Sequence, residues 1–134
     1  MATNWRLSHA VGQFMRPLRV MVVEDDGLLA ELLGEILEGM GHDVCASEGS
    51  EAGAVAAAVQ CKPDLMVVDV RLGEGSGVSA VDQIQLKGLI PHIFVTGDIK
   101  GLKALRPGAE ALEKPFRDSD LERSIERVIG ASAA

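Results

Sequence analysis

The sequence predicts an α/β fold: a doubly wound, five-stranded parallel sheet of order 2-1-3-4-5, with helices on both faces and a short or irregular fourth helix. Three observations predict it. Segments 18–24, 64–70 and 91–97 are short, continuous apolar runs rich in β-branched residues, the pattern of strands covered on both faces. Strand-like segments alternate with helical ones five times along the chain, which points to parallel strands joined by crossover helices. The first and third strands run into acids, Glu24-Asp25 and Asp69, at the end of the sheet where ligands bind in such folds.

Taken in order, "LRVMVVE" (18–24) is the first strand. From Gly27 onward Leu28, Leu29, Leu32, Leu33, Ile36, Leu37 and Met40 recur at helical spacing, with Asp26 as the expected N-cap and Gly41 as the stop. "HDVCAS" (42–47) is the second strand, and "SEAGAVAAAVQ" (50–60) an alanine-rich helix whose predicted inner face is Ala52, Val55, Ala56 and Val59, closed by Pro63. "DLMVVDV" (64–70) is the third strand, followed by the glycine-rich loop "RLGEGSG" (71–77) and a helix over 78–88. "PHIFVTG" (91–97) is the fourth strand. Gly101 and Pro107 break the segment 98–108, leaving about two helical turns. "AEALEKP" (109–115) is the fifth strand, and a helix over 118–129 places Leu121, Ile125, Val128 and Ile129 on one face, with Asp118 or Ser119 as its cap.

A chain of 134 residues suits one domain with a sizeable core. That domain is expected over 18–130, after an N-terminal extension at 1–17 and before a C-terminal stub at 131–134. Val11, Phe14 and Met15 have the spacing of one helical turn within an otherwise loose extension. A net charge of -7 repels phosphate backbones and disfavours nucleic-acid binding. No apolar run approaches the roughly 20 residues of a membrane span, and the N-terminal segment lacks the apolar core of a signal peptide, so a cytoplasmic protein is expected. Cys45 and Cys61 form no C-x-x-C and read as reduced thiols; His9, His42 and His92 show no metal-ligand spacing.

In order 2-1-3-4-5 the first strand lies beside the third, so Glu24, Asp25 and Asp69 converge, with Lys114 at the rim as the nearest cation. Three carboxylates that close cannot all stay ionised without added positive charge. A hard divalent cation with oxygen ligands meets that need, and Mg²⁺ fits a site of this kind.

"VVEDD", "VVDVRLGEGSG", "FVTG" and "EKPF" occur in this order at the ends of the predicted strands. With them the chain resembles the receiver domain of two-component response regulators over nearly all of 18–130. The resemblance implies that Asp69 is the phosphoacceptor, taking a phosphoryl group from a histidine kinase or histidine phosphotransfer protein. It implies Asp25 as a direct Mg²⁺ ligand, Glu24 as a ligand directly or through water, and the backbone carbonyl of Arg71 as a further ligand. Thr96 would hydrogen-bond a phosphoryl oxygen. Lys114 would pair with that group, and with Asp69 beforehand, across a cis Lys114-Pro115 bond.

Three features depart from the family pattern. Ala111 stands three residues before the lysine, where an aromatic switch is usual, and the chain has no tyrosine. The interval from Thr96 to Lys114 is about one helical turn short, similar to the FATGUY subgroup of receivers, which Val95 and Asp98-Ile99 match in part. Leu72-Gly73 replace the usual Met-Pro after the phosphoacceptor. Arg71 and Asp98 carry opposite charges at the mouth of the predicted site, and a salt bridge between them is expected.

With helix five ending near Ile129, the expected function is that of a stand-alone regulator, monomeric or weakly dimeric, signalling through a protein partner or a phosphate relay. It is expected to be a phosphoacceptor with its own autophosphorylation and autodephosphorylation chemistry and not an enzyme. The competing class is a Mg²⁺-dependent aspartyl-phosphate phosphohydrolase, which needs a second acid where Arg71 stands.

Overall fold

Strand β1 (Arg19–Val23) has valine or methionine at each of its last four positions, and all four are buried. It pairs in parallel with β2 (Asp43–Glu48) on one side and β3 (Leu65–Asp69) on the other. Strands β4 (His92–Thr96) and β5 (Ala111–Glu113) complete a five-stranded sheet of order β2-β1-β3-β4-β5. The computed structural model describes residues 16–133. The helical turn suggested by Val11, Phe14 and Met15 lies outside the described residues.

The period of two along each strand divides the core between two faces. Val20, Val22, Val67 and Val95 point to one face, where helices α1 (Gly27–Gly39) and α5 (Asp118–Ala133) pack through Leu33, Leu37, Leu121 and Ile125. Met21, Val23, Met66 and Val68 point to the other, covered by α2 (Glu51–Cys61), α3 (Gly77–Gln85) and α4 (Ile99–Leu105). Each such valine or leucine contributes about 1.5–3 kcal/mol by leaving water. The centre of the sheet is therefore the most strongly held part of the molecule, and it carries the strand ends on which the site is built.

Local signals set most helix ends. The Asp26 carboxylate accepts the N–H groups of Leu28 and Leu29 at the start of α1, and Gly41 takes a φ of 95° after its end. Ser50 and Ser76 cap α2 and α3 in the same way. Helix α4 has 7 residues, the short fourth helix expected from Gly101 and Pro107. Helix α5 begins at Asp118, so Arg117 and not Asp118 or Ser119 precedes it, and Asp120 in its first turn reaches back to accept the Arg117 N–H at 2.9 Å. This helix continues to Ala133, past the end expected near Ile129.

Two expectations are corrected here. The buried face of α2 is Ala54 and Ala58, while Ala52, Ala56 and Val59 face outward. Small side chains at i, i+4 let this helix lie close against the sheet, an advantage that hydrophobicity alone does not reveal. Cys45 and Cys61 are joined in a disulfide with Cα atoms 6.0 Å apart, where two reduced thiols were expected. Helix α2 returns along the sheet and brings its last residue beside the strand it left, within the span that a bridge can close. Protein purified without reductant should show no maleimide-reactive thiol on denaturation. Its reduction should lower stability by roughly 2–4 kcal/mol; two reactive thiols in the unreduced protein would exclude the bridge.

Candidate metal and phosphoacceptor site

The register of β1 on β3 pairs Val23 with Val68, so the next residue on each strand, Glu24 and Asp69, lies at the same edge of the sheet. Glu24 and Asp69 are 8% and 6% exposed; Asp25 is exposed. Carboxylate oxygens of the three lie within 4.8 Å of one another. They form the acidic floor of an open cleft of about 930 Å³, which Thr96 and Lys114 also line and which Leu29 and Leu105 flank.

Lys114 is the counter-charge. Its Nζ lies 2.6 Å from Asp69 Oδ2 and 3.6 Å from Glu24 Oε1. The Lys114-Pro115 bond is cis, and the Lys114 N–H donates to the Thr96 carbonyl at 2.8 Å, so the lysine is fixed to β4 while its side chain turns into the cleft. Asp69 Oδ1 accepts the Arg71 N–H at 2.9 Å. Glu24 Oε2 accepts the Asp26 N–H at 3.1 Å. The Thr96 hydroxyl oxygen accepts the Asp98 N–H at 2.9 Å, which leaves its own O–H to donate elsewhere.

Charge and burial shift two of these groups. Burial, with the hydrogen bond and charge of Asp69, raises the Glu24 carboxyl to about 7, against opposing contributions from the Asp26 N–H and Lys114. Burial alone would lower Lys114, but its hydrogen bond to Asp69 and the charges of Asp69 and Glu24 outweigh that and raise it. One protein cation thus serves two buried acids, and Glu24 stays protonated well above the usual carboxylate range. The unmet demand for positive charge fits a divalent cation. Three carboxylate donors beside an open cleft, with room for water ligands, suit Mg²⁺.

The sequence-based candidates Glu24, Asp25, Asp69, Thr96 and Lys114 therefore all line one cleft, together with Arg71. The Arg71–Asp98 salt bridge is not among the ion pairs of the described residues. Instead, the Asp98 carboxylate accepts the Gly101 N–H at 3.0 Å and caps α4, and a short helix that needs this cap competes successfully for it. Gly77 and Gly73 read from sequence only as glycines of a flexible loop. A Cβ at Gly77 would collide with the Asp69 carbonyl, and one at Gly73 would lie 3.2 Å from Asp25 Oδ2. Glu51, also overlooked, binds the loop after β3 from 25 residues away, a separation that no local motif reports.

Fold and site together define a doubly wound α/β domain with an acidic cup at the point where strand order reverses. The family model of the response regulator receiver domain matches residues 20–126, and the chain belongs to that family. It is 34% identical over 118 residues to the transcriptional regulatory protein PdtaR of Mycobacterium tuberculosis, covering 84% of this chain and 57% of that protein. The receiver domain of PhyR from Erythrobacter litoralis superposes with a TM-score of 0.80 at 28% identity, covering 87% of this chain and 92% of that one. The anti-anti-sigma factor PhyR from Bartonella quintana gives 0.83 at 27% identity, over 94% of this chain and 52% of that one. The chain thus spans about half the length of PdtaR and of the Bartonella protein. Among the described residues no helix is long and apolar enough to cross a membrane.

The Glu24 shift fixes a pH dependence. A carboxyl raised from 4.5 to about 7 on folding makes the native state bind more protons than the unfolded state between those values, so its contribution to stability falls as pH rises through that window. In chelator, Glu24→Gln should gain stability relative to wild type as pH rises from 4.5 to 7; a pH-independent difference in denaturant midpoints would contradict the shift. Gly77→Ala should cost about 1–3 kcal/mol by overpacking. Because the collision is with the backbone of Asp69, Mg²⁺ affinity should fall as well, and retention of both by calorimetry would refute the close approach.

Proposed function

We propose that Asp69 accepts a phosphoryl group, with Mg²⁺ in the acidic cup, and that the phosphorylated chain signals by binding a protein partner or relaying the phosphate. The observation that carries this reading is the 2.6 Å Lys114–Asp69 contact inside the Glu24/Asp25/Asp69 cup. It presents one carboxylate as nucleophile with its charge partner already in place.

Glu24, Asp25, Asp69 and the Arg71 carbonyl would hold the ion. When bound, Mg²⁺ supplies charge neutralisation to the oxygens of the transferring phosphoryl group. A carboxylate oxygen of Asp69 attacks phosphorus; the P–N bond of a phosphohistidine breaks, an O–P bond forms, and the imidazole nitrogen takes up a proton. The Arg71 N–H on Oδ1 and the Lys114 ammonium on Oδ2 fix the carboxylate's orientation. Lys114 then follows the negative charge to the phosphoryl oxygens, and the free Thr96 O–H donates to one of them.

The phosphodonor would be a histidine kinase or a histidine phosphotransfer protein. Leu28, Leu29 and Leu32 of α1 are 77%, 42% and 52% exposed beside the cleft, an apolar surface suited to a helical donor domain. Output by protein contact agrees with the description of the Bartonella relative as an anti-anti-sigma factor. The phosphohydrolase alternative lacks its second acid, because Arg71 occupies that position.

Incubation with acetyl phosphate and Mg²⁺ should add one labile phosphoryl group by intact mass, and chelator should prevent it. Asp69→Asn should abolish the gain while leaving the melting transition cooperative. Labelling that persists in the variant would overturn the assignment.

A further inference from the structure

The loop after β3, residues 71–76, contains Gly73 and Gly75, and α3 opens on a third glycine, Gly77. So flexible a segment needs an anchor to hold one pose. Local anchors tie its two ends together: Arg71 N–H on Asp69 Oδ1, Gly77 N–H on the Val70 carbonyl at 2.9 Å, and an antiparallel bridge between Arg71 and Ser76. These close the base of the loop, Arg71 to Ser76, and a further anchor on Ser76 comes from another helix.

Glu51, in the first turn of α2, reaches across to it. Its Oε1 accepts the Ser76 N–H at 2.9 Å; its Oε2 accepts the Ser79 hydroxyl at 2.6 Å and the Gln83 side-chain amide. The Glu51 N–H donates to the Glu74 carbonyl at 3.2 Å. Gly75, at φ +83°, lies so close to the Glu51 side chain that no Cβ would fit there. The hydrogen bonds from Ser79 and Ser76 also lower the Glu51 pKa, so the carboxylate stays ionised as an acceptor.

The same turn supports the other wall of the cup. A Cβ at Gly49, two residues before Glu51, would lie 3.4 Å from Asp25 Cα and 3.6 Å from the Glu24 carbonyl. The segment entering α2 is tied to that wall by the Glu24 N–H, which donates to the Glu48 carbonyl at 2.9 Å, while Glu51 holds the loop that carries Arg71 and Gly73.

We infer that Glu51 is a positioning residue for the Asp69 site: it sets the pose of loop 71–76, and with it the place of the Arg71 carbonyl and of Gly73 at the cation cup. The inference rests on the phosphoacceptor reading. Glu51 touches no reacting group; it acts through the loop, as outer partners act on the ligands of a metal site.

The test uses the full chain with Glu51→Gln, Glu51→Ala and Ser79→Ala, the last removing a donor to Glu51 without altering α2. In metal-free protein, hydrogen exchange at the Ser76 amide should accelerate in Glu51→Ala, while amides of β1 and β3 keep wild-type protection. Mg²⁺ binding by calorimetry should weaken on the order of tenfold in Glu51→Ala. Glu51→Gln should be milder, because its amide oxygen still accepts the Ser76 N–H, and Ser79→Ala should shift both readouts in the same direction. Wild-type Mg²⁺ affinity in Glu51→Ala despite a fast-exchanging loop would overturn the inference, as would loss of β1 and β3 protection in step with the loop, which marks a purely structural role. If wild type itself neither binds Mg²⁺ nor gains a phosphoryl group, the phosphoacceptor reading falls and takes this inference with it. If wild type does both and the variants match it, the inference alone falls.

Discussion

Repulsion among Glu24, Asp25 and Asp69 is the constraint around which the site is organised. Two of these acids are buried, and such a cluster persists only where the surrounding structure holds it and positive charge is near. The holding comes from the sheet: β1 and β3 are adjacent and in register through Val23 and Val68, and both strands are covered on two faces by buried apolar residues. The positive charge comes from Lys114, which the hydrogen bond of its N–H to the Thr96 carbonyl holds at the end of β4. Strand order, core and lysine placement are thus three parts of one arrangement. A single ammonium is shared between two acids, and burial, with the hydrogen bond and charge of Asp69, still raises the Glu24 carboxyl.

The short α4 and the small residue at Ala111 have a common consequence on the other side of the cleft. Helix α4 contributes Leu102 to the core and leaves Leu105 64% exposed. No aromatic ring stands at position 111 to move in response to Thr96. Two hydrogen bonds join the cleft to the start of α4: Thr96 Oγ1 accepts the Asp98 N–H, and the Asp98 carboxylate accepts the Gly101 N–H. A helix of two turns depends on its cap more than a long one does.

What the sequence made readable follows from the range of the forces involved. Strands β1 and β3, the Asp26 cap, the short α4 and the acids at strand ends are all encoded within a few residues, by periodicity and by capping chemistry. Once strand order is assumed, the convergence of Glu24, Asp25, Asp69, Thr96 and Lys114 follows from it. The features that escaped depend on tertiary distance or on competition. The inner face of α2 was misread because Val55 and Val59 are more hydrophobic than Ala54 and Ala58, whereas close helix–sheet approach favours the smaller pair. The Cys45–Cys61 bridge depends on a helix returning to its own strand. The Arg71–Asp98 pair failed because a neutral backbone donor one turn away outcompeted an exposed guanidinium, as expected when surface ion pairs are worth only about 0–1 kcal/mol.

The loop after Asp69 illustrates how rigidity is supplied from outside a segment. Leu72-Gly73 in place of Met-Pro removes the constraint that proline places on φ, and three glycines widen the conformations open to the unbound loop. Leu72 is buried at 8% exposure and ties the loop to the α2–α4 face of the core. Gly75 and Gly77 adopt positions where a side chain would meet Glu51 or the Asp69 carbonyl. Glycine here therefore permits close approach as well as freedom: the residues that loosen the loop are the ones that let α2 and β3 grip it. Flexibility in the sequence and order in the fold are reconciled at Glu51, whose carboxylate takes up the backbone and side-chain donors that the loop and α3 present.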